Sequence, residues 1–163
     1  ERKRKALIDR FGIRPERIFS SRSQGFVDGL MQATKGRGVD VVINSLSGPL
    51  LQSGLNCLAR FGRFVELGRR DIENHHRIDF AAFGRSISVL AVDLLVLVEH
   101  QSREMHKVLE TCVRLVGHGT LPGIEPIVGV PLAGVEQGFR QLQTGQHIGK
   151  VVVNTEDGNG TVA

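Results

Sequence analysis

Residues 39–48 constrain the fold of this chain more than any other segment. They read Val-Asp-Val-Val-Ile-Asn-Ser-Leu-Ser-Gly, a run of branched apolar residues that ends in polar turn residues. Such runs are typical of a parallel strand that is buried on both faces of its sheet. Pro49 follows, and proline is tolerated in the first turn of a helix. The segment therefore predicts a central parallel strand followed by a helix.

Strand-like and helix-like segments alternate along the rest of the chain. Apolar residues recur at helical spacing or in short branched runs, with Gly, Pro or polar residues between them. The pattern predicts an α/β fold with a parallel, doubly wound, Rossmann-like sheet. The predicted helices are residues 2–12, 26–31, 49–62, 105–116 and 135–142, the predicted strands are residues 17–21, 39–43, 63–67, 87–92 and 150–153, the predicted loops are residues 69–83 and 120–131, and residues 154–163 are a predicted linker.

Composition and charge argue against several classes of protein. The 163 residues suffice for one domain, and the 40% hydrophobic and 23% charged residues are ordinary for a globular chain. The net charge of +4 is concentrated near the N-terminus, but the chain has no Tyr or Trp on which bases could stack, which argues against nucleic-acid binding. The longest apolar stretch, residues 87–98, is far shorter than the roughly 20 residues that span a bilayer. We therefore expect no membrane span. We also expect no signal peptide, because a polar, amphipathic segment follows the basic residues 2–5 where a signal peptide would have an apolar core.

The sequence gives no pattern of metal ligands. Cys57 and Cys112 lie far apart among apolar residues, which predicts buried free thiols in a reducing, cytoplasmic compartment. His75 and His76 are adjacent, so most backbones point their side chains apart, and no Cys or second His stands at zinc-ligand spacing. We expect no metal site.

The glycine-rich phosphate loop of dinucleotide-binding folds is absent from the sequence. Residues 36–38, 117–119 and 158–160 are each only Gly-x-Gly, and none follows a predicted strand and opens a predicted helix. Two interpretations remain open. Either the protein binds no dinucleotide, or the loop lies upstream of Glu1.

Seven segments of the chain distinguish between these interpretations, because they occur in the same order as in one known family of domains. They closely resemble the enoyl reductase domain of polyketide synthases, above all the fungal highly reducing type, and are similar to the animal fatty acid synthase domain. These domains form part of the zinc-free branch of the medium-chain dehydrogenase/reductase superfamily. The resemblance covers nearly the whole chain and begins after the family's phosphate-binding glycines. The segments are residues 3–7, 11–13, 17–22, 36–48, 57–72, 92–94 and 145–153.

The resemblance implies NADPH-dependent reduction of an α,β-unsaturated thioester carried on an acyl carrier protein. Hydride goes to the β carbon and a proton goes to the α carbon, so the intervening enolate needs electrostatic support. It also implies that the partners are other synthase domains and a second copy of the chain in a homodimer.

The resemblance also implies a set of cofactor-binding residues. Cations at the start of the first helix suit the 2′-phosphate of NADPH, and the strand ends suit the rest of the cofactor. Alternatives remain open, because the basic run also fits a solvated helix face and the Asn and Ser residues also fit ordinary turns. The residues are Lys3, Arg4, Ser21, Arg22, Asn44, Ser45, Leu46, Gly68 and Lys150.

Arg69 and Asp93 are the catalytic candidates that the resemblance implies. The family usually has a lysine at the position of Arg69, as proton donor or enolate stabiliser, paired with an aspartate in a segment such as Val92-Asp-Leu94. A buried lysine can act as an acid, whereas arginine stays protonated in proteins and is a poor donor. The alternative interpretation of Arg69 is a surface arginine in a basic loop, without a catalytic role. Asp93 lies inside a predicted apolar strand, where an unpaired carboxylate is costly.

Two other interpretations are of different classes. The chain could be a non-catalytic structural or dimerisation element of a synthase, or part of a stand-alone quinone or enone oxidoreductase. The segments around Arg69 and His147 favour the synthase branch.

The complete doubly wound fold has the strand order 3-2-1-4-5-6. The four predicted strands between residues 17 and 92 correspond to strands 3, 4, 5 and 6 of that order, and no predicted strand corresponds to strands 1 and 2. Residues 1–153 are then part of a cofactor domain, with an open apolar edge on strand 4. We expect the chain alone neither to bind NADPH tightly nor to reduce an enoyl thioester. Calorimetry on the isolated chain checks this, and a micromolar dissociation constant for NADPH would contradict it.

Overall fold

Parallel strands alternate with helices along the chain, which confirms the predicted α/β class. The computed structural model describes residues 1–145 and 147–155. Two units, Leu7–Lys107 and Glu1–Ala6 with Val108–Ala163, are each described by themselves. The helices are α1 (Arg2–Phe11), α2 (Phe26–Ala33), α3 (Pro49–Asn56), α4 (Arg70–Glu73), α5 (Leu94–His100), α6 (Ser102–Gly117) and α7 (Val135–Gln143), the 3-10 helices are Pro15–Arg17, Phe80–Arg85 and Leu132–Gly134, and the strands are β1 (Val39–Asn44), β2 (Leu58–Glu66), β3 (Ser88–Ala91), β4 (Ile127–Pro131) and β5 (Lys150–Asn154).

The unit Leu7–Lys107 contains a parallel sheet with the order β1-β2-β3. These strands correspond to the predicted strands at residues 39–43, 63–67 and 87–92, and they are neighbours as predicted. Asn44 is in register with Glu66, and Glu66 with Ala91. Three C-terminal strand ends therefore lie side by side along one edge of the sheet.

Helix α3 and the chain around Ala82 cover one face of this sheet. Phe64, at the centre of β2, is only 1% exposed. Gly54 of α3 lies so close to its ring that an added Cβ would stand 3.2 Å from it. The core therefore depends on an aromatic residue that packs against a glycine. Its buried members are Leu51, Leu55, Leu58, Phe64, Ala82 and Ile87.

The other face of β1 differs from the prediction. Val42 packs against the core, but Val41 and Ile43 point to the opposite face, where Ile43 is 71% exposed. Side chains alternate between the faces of a strand, so one covered face buries every second residue. The prediction that β1 is buried on both faces is wrong for the described residues. β1 is also an edge strand of this sheet.

The predicted strand at residues 17–21 is also wrong. Arg17 ends a 3-10 helix that starts at Pro15, and the ring of Phe19 lies against Gly29 of α2. Ile18 is extended, but an extended residue becomes a strand only when a neighbour completes its hydrogen-bond ladder. The sheet of the described unit begins at β1.

Helix α3 is shorter than the predicted helix at residues 49–62. It ends at Asn56, and β2 already begins at Leu58, which pairs with Val39. The pairing then shifts to Val41 with Arg63, so the residues between form a bulge. Phe61 has a positive φ of 61° there and is 77% exposed. The bulge interrupts the alternation of buried and exposed residues that is typical of a strand, so that Leu58 and Ala59 are both buried. These apolar residues therefore fit the helical spacing that predicted a longer helix.

The second unit contains the parallel pair of β4 and β5, with α7 packed against both strands. The predictions of α7 and β5 are confirmed, but β4 lies in the predicted loop at residues 120–131. The sequence pattern did not predict this short strand, because it contains Gly129 and Pro131, and both residue types are unusual inside strands. In the predicted linker, Asn154 belongs to β5, and residues 156–163 lie outside the described residues.

The two cysteines differ in their surroundings. Cys57 is buried, and its removal from water raises the pKa of its thiol, as predicted for an inert core residue. Cys112 lies on α6 and is exposed, so the prediction of burial is wrong for this residue.

Helix α6 itself confirms the predicted helix at residues 105–116. None of the helices in the described part of the chain is long and apolar enough to cross a bilayer.

Phe64→Ala tests the importance of this core. We expect it to lower the free energy of unfolding by about 3–5 kcal/mol, because it removes a buried ring and leaves a cavity. Phe61→Ala is the matched control and should change it by less than about 0.5 kcal/mol, since that ring is largely in water. Urea unfolding measures both, and equal losses would show that the core lies elsewhere.

Candidate functional site

Three turns meet at the C-terminal edge of the β1-β2-β3 sheet. Residues 45–48 follow β1, residues 67–71 follow β2, and residues 92–93 follow β3. In open sheets of parallel strands, this edge is where ligands bind. The predicted residues Asn44, Gly68 and Asp93 are therefore brought to one edge.

Asn44 shapes the first turn. Its side chain is 4% exposed; Nδ2 donates to the carbonyl oxygen of Leu46 at 2.7 Å, and Oδ1 accepts from the amide of Leu46 at 3.2 Å. The side chain thus closes a local turn with its own backbone, as asparagine often does. Ser45 and Leu46 are held at the strand end by this turn.

Glu66 lies at the end of β2, at the centre of the edge, and is not among the predicted site residues. Its carboxylate is buried; Oε2 accepts from Nδ2 of Asn44 at 2.6 Å, and Oε1 accepts from the amide of Gly68 at 2.5 Å. A Cβ on Gly68 would stand 2.6 Å from Oε1, so only glycine allows this approach. One feature of the sequence could have identified Glu66. It is an acidic residue at the end of a predicted apolar strand, and the neighbouring predicted strand ends at Asn44, its partner in register.

A second contact joins the same two turns. The amide of Gly48 donates to Oδ2 of Asp71 at 2.6 Å. Asp71 lies in α4, within the predicted loop at residues 69–83, and its carboxylate accepts from a backbone amide. The turns after β1 and β2 are therefore held together at both ends.

Arg69 lies in the second turn, between two carboxylates. Its Nε is 3.3 Å from Oδ2 of Asp93, and its Nη2 is 3.0 Å from Oε1 of Glu73. The Arg69 side chain is about half exposed, whereas Asp93 is largely shielded. The structure thus brings the two predicted catalytic residues into an ion pair that bridges the ends of β2 and β3.

The environment of Asp93 differs from the prediction. β3 ends at Ala91, so Asp93 is not inside a strand but is the N-cap of α5. Its Oδ1 accepts from the amides of Leu95 at 2.9 Å and Val96 at 3.4 Å, while Oδ2 faces Arg69. The carboxylate has partners for both oxygens because it caps a helix, which is a preferred position for aspartate.

A small polar cleft lies between the first two turns. It has a volume of about 190 Å³, below the roughly 300–1,000 Å³ of complete ligand pockets. Its walls offer the hydroxyl groups of two serines and the guanidinium groups of two arginines, beside two carboxylates, and these donors fit the ribose or phosphate oxygens of one part of a nucleotide. The cleft is lined by Ser45, Leu46, Ser47, Glu66, Gly68, Arg69, Arg70 and Asp71.

The remaining predicted site residues lie away from this edge or in the other unit. Ser21 and Arg22 are exposed turn residues between the first 3-10 helix and α2. Lys3 and Arg4 lie on α1, and Lys150 begins β5, all in the unit Glu1–Ala6 with Val108–Ala163. Their predicted contacts with a cofactor stay predictions.

The comparisons with known proteins identify the family. A model described as zinc-binding dehydrogenase matches residues 16–153. The chain belongs to this zinc-binding dehydrogenase family. Within the described ranges 1–145 and 147–155, no three His, Cys, Asp or Glu side chains gather as metal ligands, so these residues do not provide the zinc site that the family name implies. No step below is derived through zinc.

Similar members of the zinc-binding dehydrogenase family include polyketide synthase domains, which confirms the resemblance. Lovastatin diketide synthase lovF of Aspergillus terreus is 47% identical over 94% of this chain. The chain spans only 6% of that protein. CurK enoyl reductase is 29% identical, with a TM-score of 0.74 over 94% of this chain and 45% of that one. The nucleotide-binding subdomain of the enoylreductase domain of PpsC from Mycobacterium tuberculosis is 34% identical, with a TM-score of 0.64 over 74% of this chain and 66% of that one.

The two roles of Asp93 can be separated by substitution. Asp93→Ala should lower the free energy of unfolding by about 1 kcal/mol, because it removes the cap of α5. Asp93→Asn should cost clearly less, since asparagine caps equally well and the lost ion pair is partly exposed to solvent. Urea unfolding of the two variants checks this, and equal losses would contradict the capping role.

Proposed function

We propose that this chain is the cofactor-binding part of an NADPH-dependent enoyl reductase within a polyketide synthase. The reaction reduces the α,β double bond of an acyl thioester on an acyl carrier protein. The Arg69–Asp93 ion pair at the ligand-binding edge of the sheet is the observation that carries the proposal. Membership of the family and the relatives' descriptions as synthases and enoyl reductases support it.

The chemistry requires a stabilised negative charge on the substrate. A nicotinamide cofactor, when bound, would supply a hydride to the β carbon, and the electron pair of the double bond would then move to the thioester oxygen. Arg69 places a positive charge beside this oxygen. Fixed charges that meet developing charge lower the barrier, because they need no reorganisation during the reaction.

The contacts of Arg69 leave donors for such an oxygen. Among the described residues, Asp93 and Glu73 engage Nε and Nη2 of Arg69, so the N–H groups on Nη1 remain for the substrate. Asp93 orients the guanidinium from one side and Glu73 from the other. Two carboxylates thus restrict a side chain that is otherwise long and flexible.

The proton for the α carbon comes from water. An arginine stays protonated in proteins, so it stabilises an enolate by charge but is a poor acid. The side chain of Arg69 is about half exposed to solvent, which lets water reach this edge. Each turnover consumes one hydride from the cofactor and one proton from solvent.

The cleft between the two turns holds part of the cofactor. Ser45 and Ser47 offer hydroxyls, and Arg69 and Arg70 offer guanidinium groups to the oxygens of the cofactor. Lys3 and Arg4 would hold the 2′-phosphate that distinguishes NADPH from NADH, as the resemblance to enoyl reductases implies. The same resemblance implies Ser21 and Arg22 for the adenine end, and Lys150 as a further cofactor-binding residue.

A second role as a dimerisation element is favoured by β3. All four residues of β3 are exposed, and β3 is an edge strand of the β1-β2-β3 sheet. An edge strand offers its backbone groups to another strand. We propose that β3 pairs with a second copy of the chain, next to other domains of the synthase. Dimerisation without NADPH binding in the complete protein would favour a purely structural role.

Arg69→Lys in the complete protein tests the catalytic proposal. We expect about a tenfold rise in kcat, because a lysine at this position can donate the proton as well as stabilise charge. Arg69→Ala should lower kcat by at least about tenfold. The measurement follows the absorbance of NADPH with an enoyl-pantetheine thioester as substrate.

Arg60→Lys is the control for these variants, since Arg60 is an exposed arginine in the bulge at the other end of β2. Its kcat should equal that of the unchanged protein. Unchanged kinetics of Arg69→Lys would contradict the argument about the proton, and a complete protein that does not oxidise NADPH would contradict the proposed function.

A further inference from the structure

We propose that Glu66 is a positioning residue for the reaction. Its buried carboxylate holds the turn of Asn44–Leu46 and the turn of Gly68–Arg69 in one fixed arrangement. The consequence for catalysis rests on the proposed function, whereas the link between the two turns rests on this chain's own hydrogen bonds.

The surroundings of Glu66 are unusual for a buried acid. The side chain is 6% exposed, and no ion pair within the described residues includes it. Its carboxylate instead accepts from two neutral N–H donors, Nδ2 of Asn44 and the amide of Gly68. An apolar residue at a buried position usually gives equal or greater stability than a buried charge. Stability alone therefore does not explain an acid here, whereas a need for a fixed arrangement does.

Each oxygen of Glu66 controls a different turn. Oε2 accepts from Asn44, whose Nδ2 also donates to the carbonyl oxygen of Leu46. Oε1 accepts from Gly68, the residue directly before Arg69. The backbone adds a parallel link, because the amide of Leu67 donates to the carbonyl oxygen of Asn44 at 2.9 Å. A shift of one turn must therefore disturb the other.

This arrangement matters because the cofactor cleft has one wall on each turn. Ser45 and Leu46 line the cleft from the first turn, and Arg69 lines it from the second. A reacting pair must be held within about 0.5 Å of its productive geometry. Glu66 thus sets the distance between the guanidinium and whatever the cleft holds.

Glu66→Gln in the complete protein tests this role. Both partners of the carboxylate are donors, so an amide can accept from one of them but must direct its own N–H groups at the other. Hydrogen exchange followed by mass spectrometry should show about a tenfold loss of protection in the peptide that contains Gly68. The same variant should lose about tenfold in kcat per folded molecule.

Asn44→Asp combined with Glu66→Gln is the rescue variant. The new carboxylate at position 44 can accept from the new amide at position 66, which frees the amide oxygen for Gly68. The same carboxylate oxygen then faces the carbonyl oxygen of Leu46, to which Nδ2 of Asn44 donates in the unchanged protein, so we expect partial recovery of both losses. If Glu66→Gln fails to fold, recovery of folding and of Gly68 protection by the double variant supports the proposal.

Glu136→Gln provides the matched control, because Glu136 is an exposed acid on α7 that pairs with Arg140. It should change neither readout. Three results would each overturn the proposal. They are unchanged protection of Gly68 in Glu66→Gln, unchanged kcat per folded molecule in the same variant, and no recovery in the double variant. Hydrogen exchange needs neither cofactor nor substrate, so a loss of protection in a protein without reductase activity would contradict the proposed function and leave the link between the turns established.

Discussion

The parallel register of β1, β2 and β3 is the constraint on which the candidate site depends. It places Asn44, Glu66 and Ala91 side by side, so that three turns from distant parts of the sequence share one edge. Core packing sustains this register, because Phe64 lies two residues before Glu66 and fits against Gly54 of α3. A buried strand end is rigid, and rigid elements position functional groups better than free loops do.

Electrostatics at this edge divide into two layers. The inner layer is the buried carboxylate of Glu66, which accepts only neutral N–H groups and fixes backbone. The outer layer is Arg69 between Asp93 and Glu73, open to water and therefore able to meet a ligand. The inner layer supplies geometry and the outer layer supplies charge. Asp93 makes two kinds of contact, because one oxygen caps α5 while the other faces the guanidinium of Arg69.

The sequence predicts well what depends on neighbouring residues. The branched run of β1 needs only its own residues to be recognised, and the likeness to enoyl reductases supplied Arg69 and Asp93 as a pair. The strand at residues 17–21 was wrong because a strand requires a partner that a local pattern does not contain. Glu66 was missed because its partners, Asn44 and Gly68, come together only through register and a turn. The strand position of Asp93 was wrong because β3 ends at Ala91 and a helix begins directly after Asp93.

The fate of solvent hydrogen tests the central claim most directly. The complete protein is incubated in D2O with NADPH and an enoyl-pantetheine thioester, and the product is analysed by mass spectrometry and NMR. If a hydride reaches the β carbon while Arg69 stabilises an enolate that water protonates, the saturated product carries one deuterium on its α carbon and none on its β carbon. A product with solvent deuterium on the β carbon, or no saturated product at all, would contradict the account.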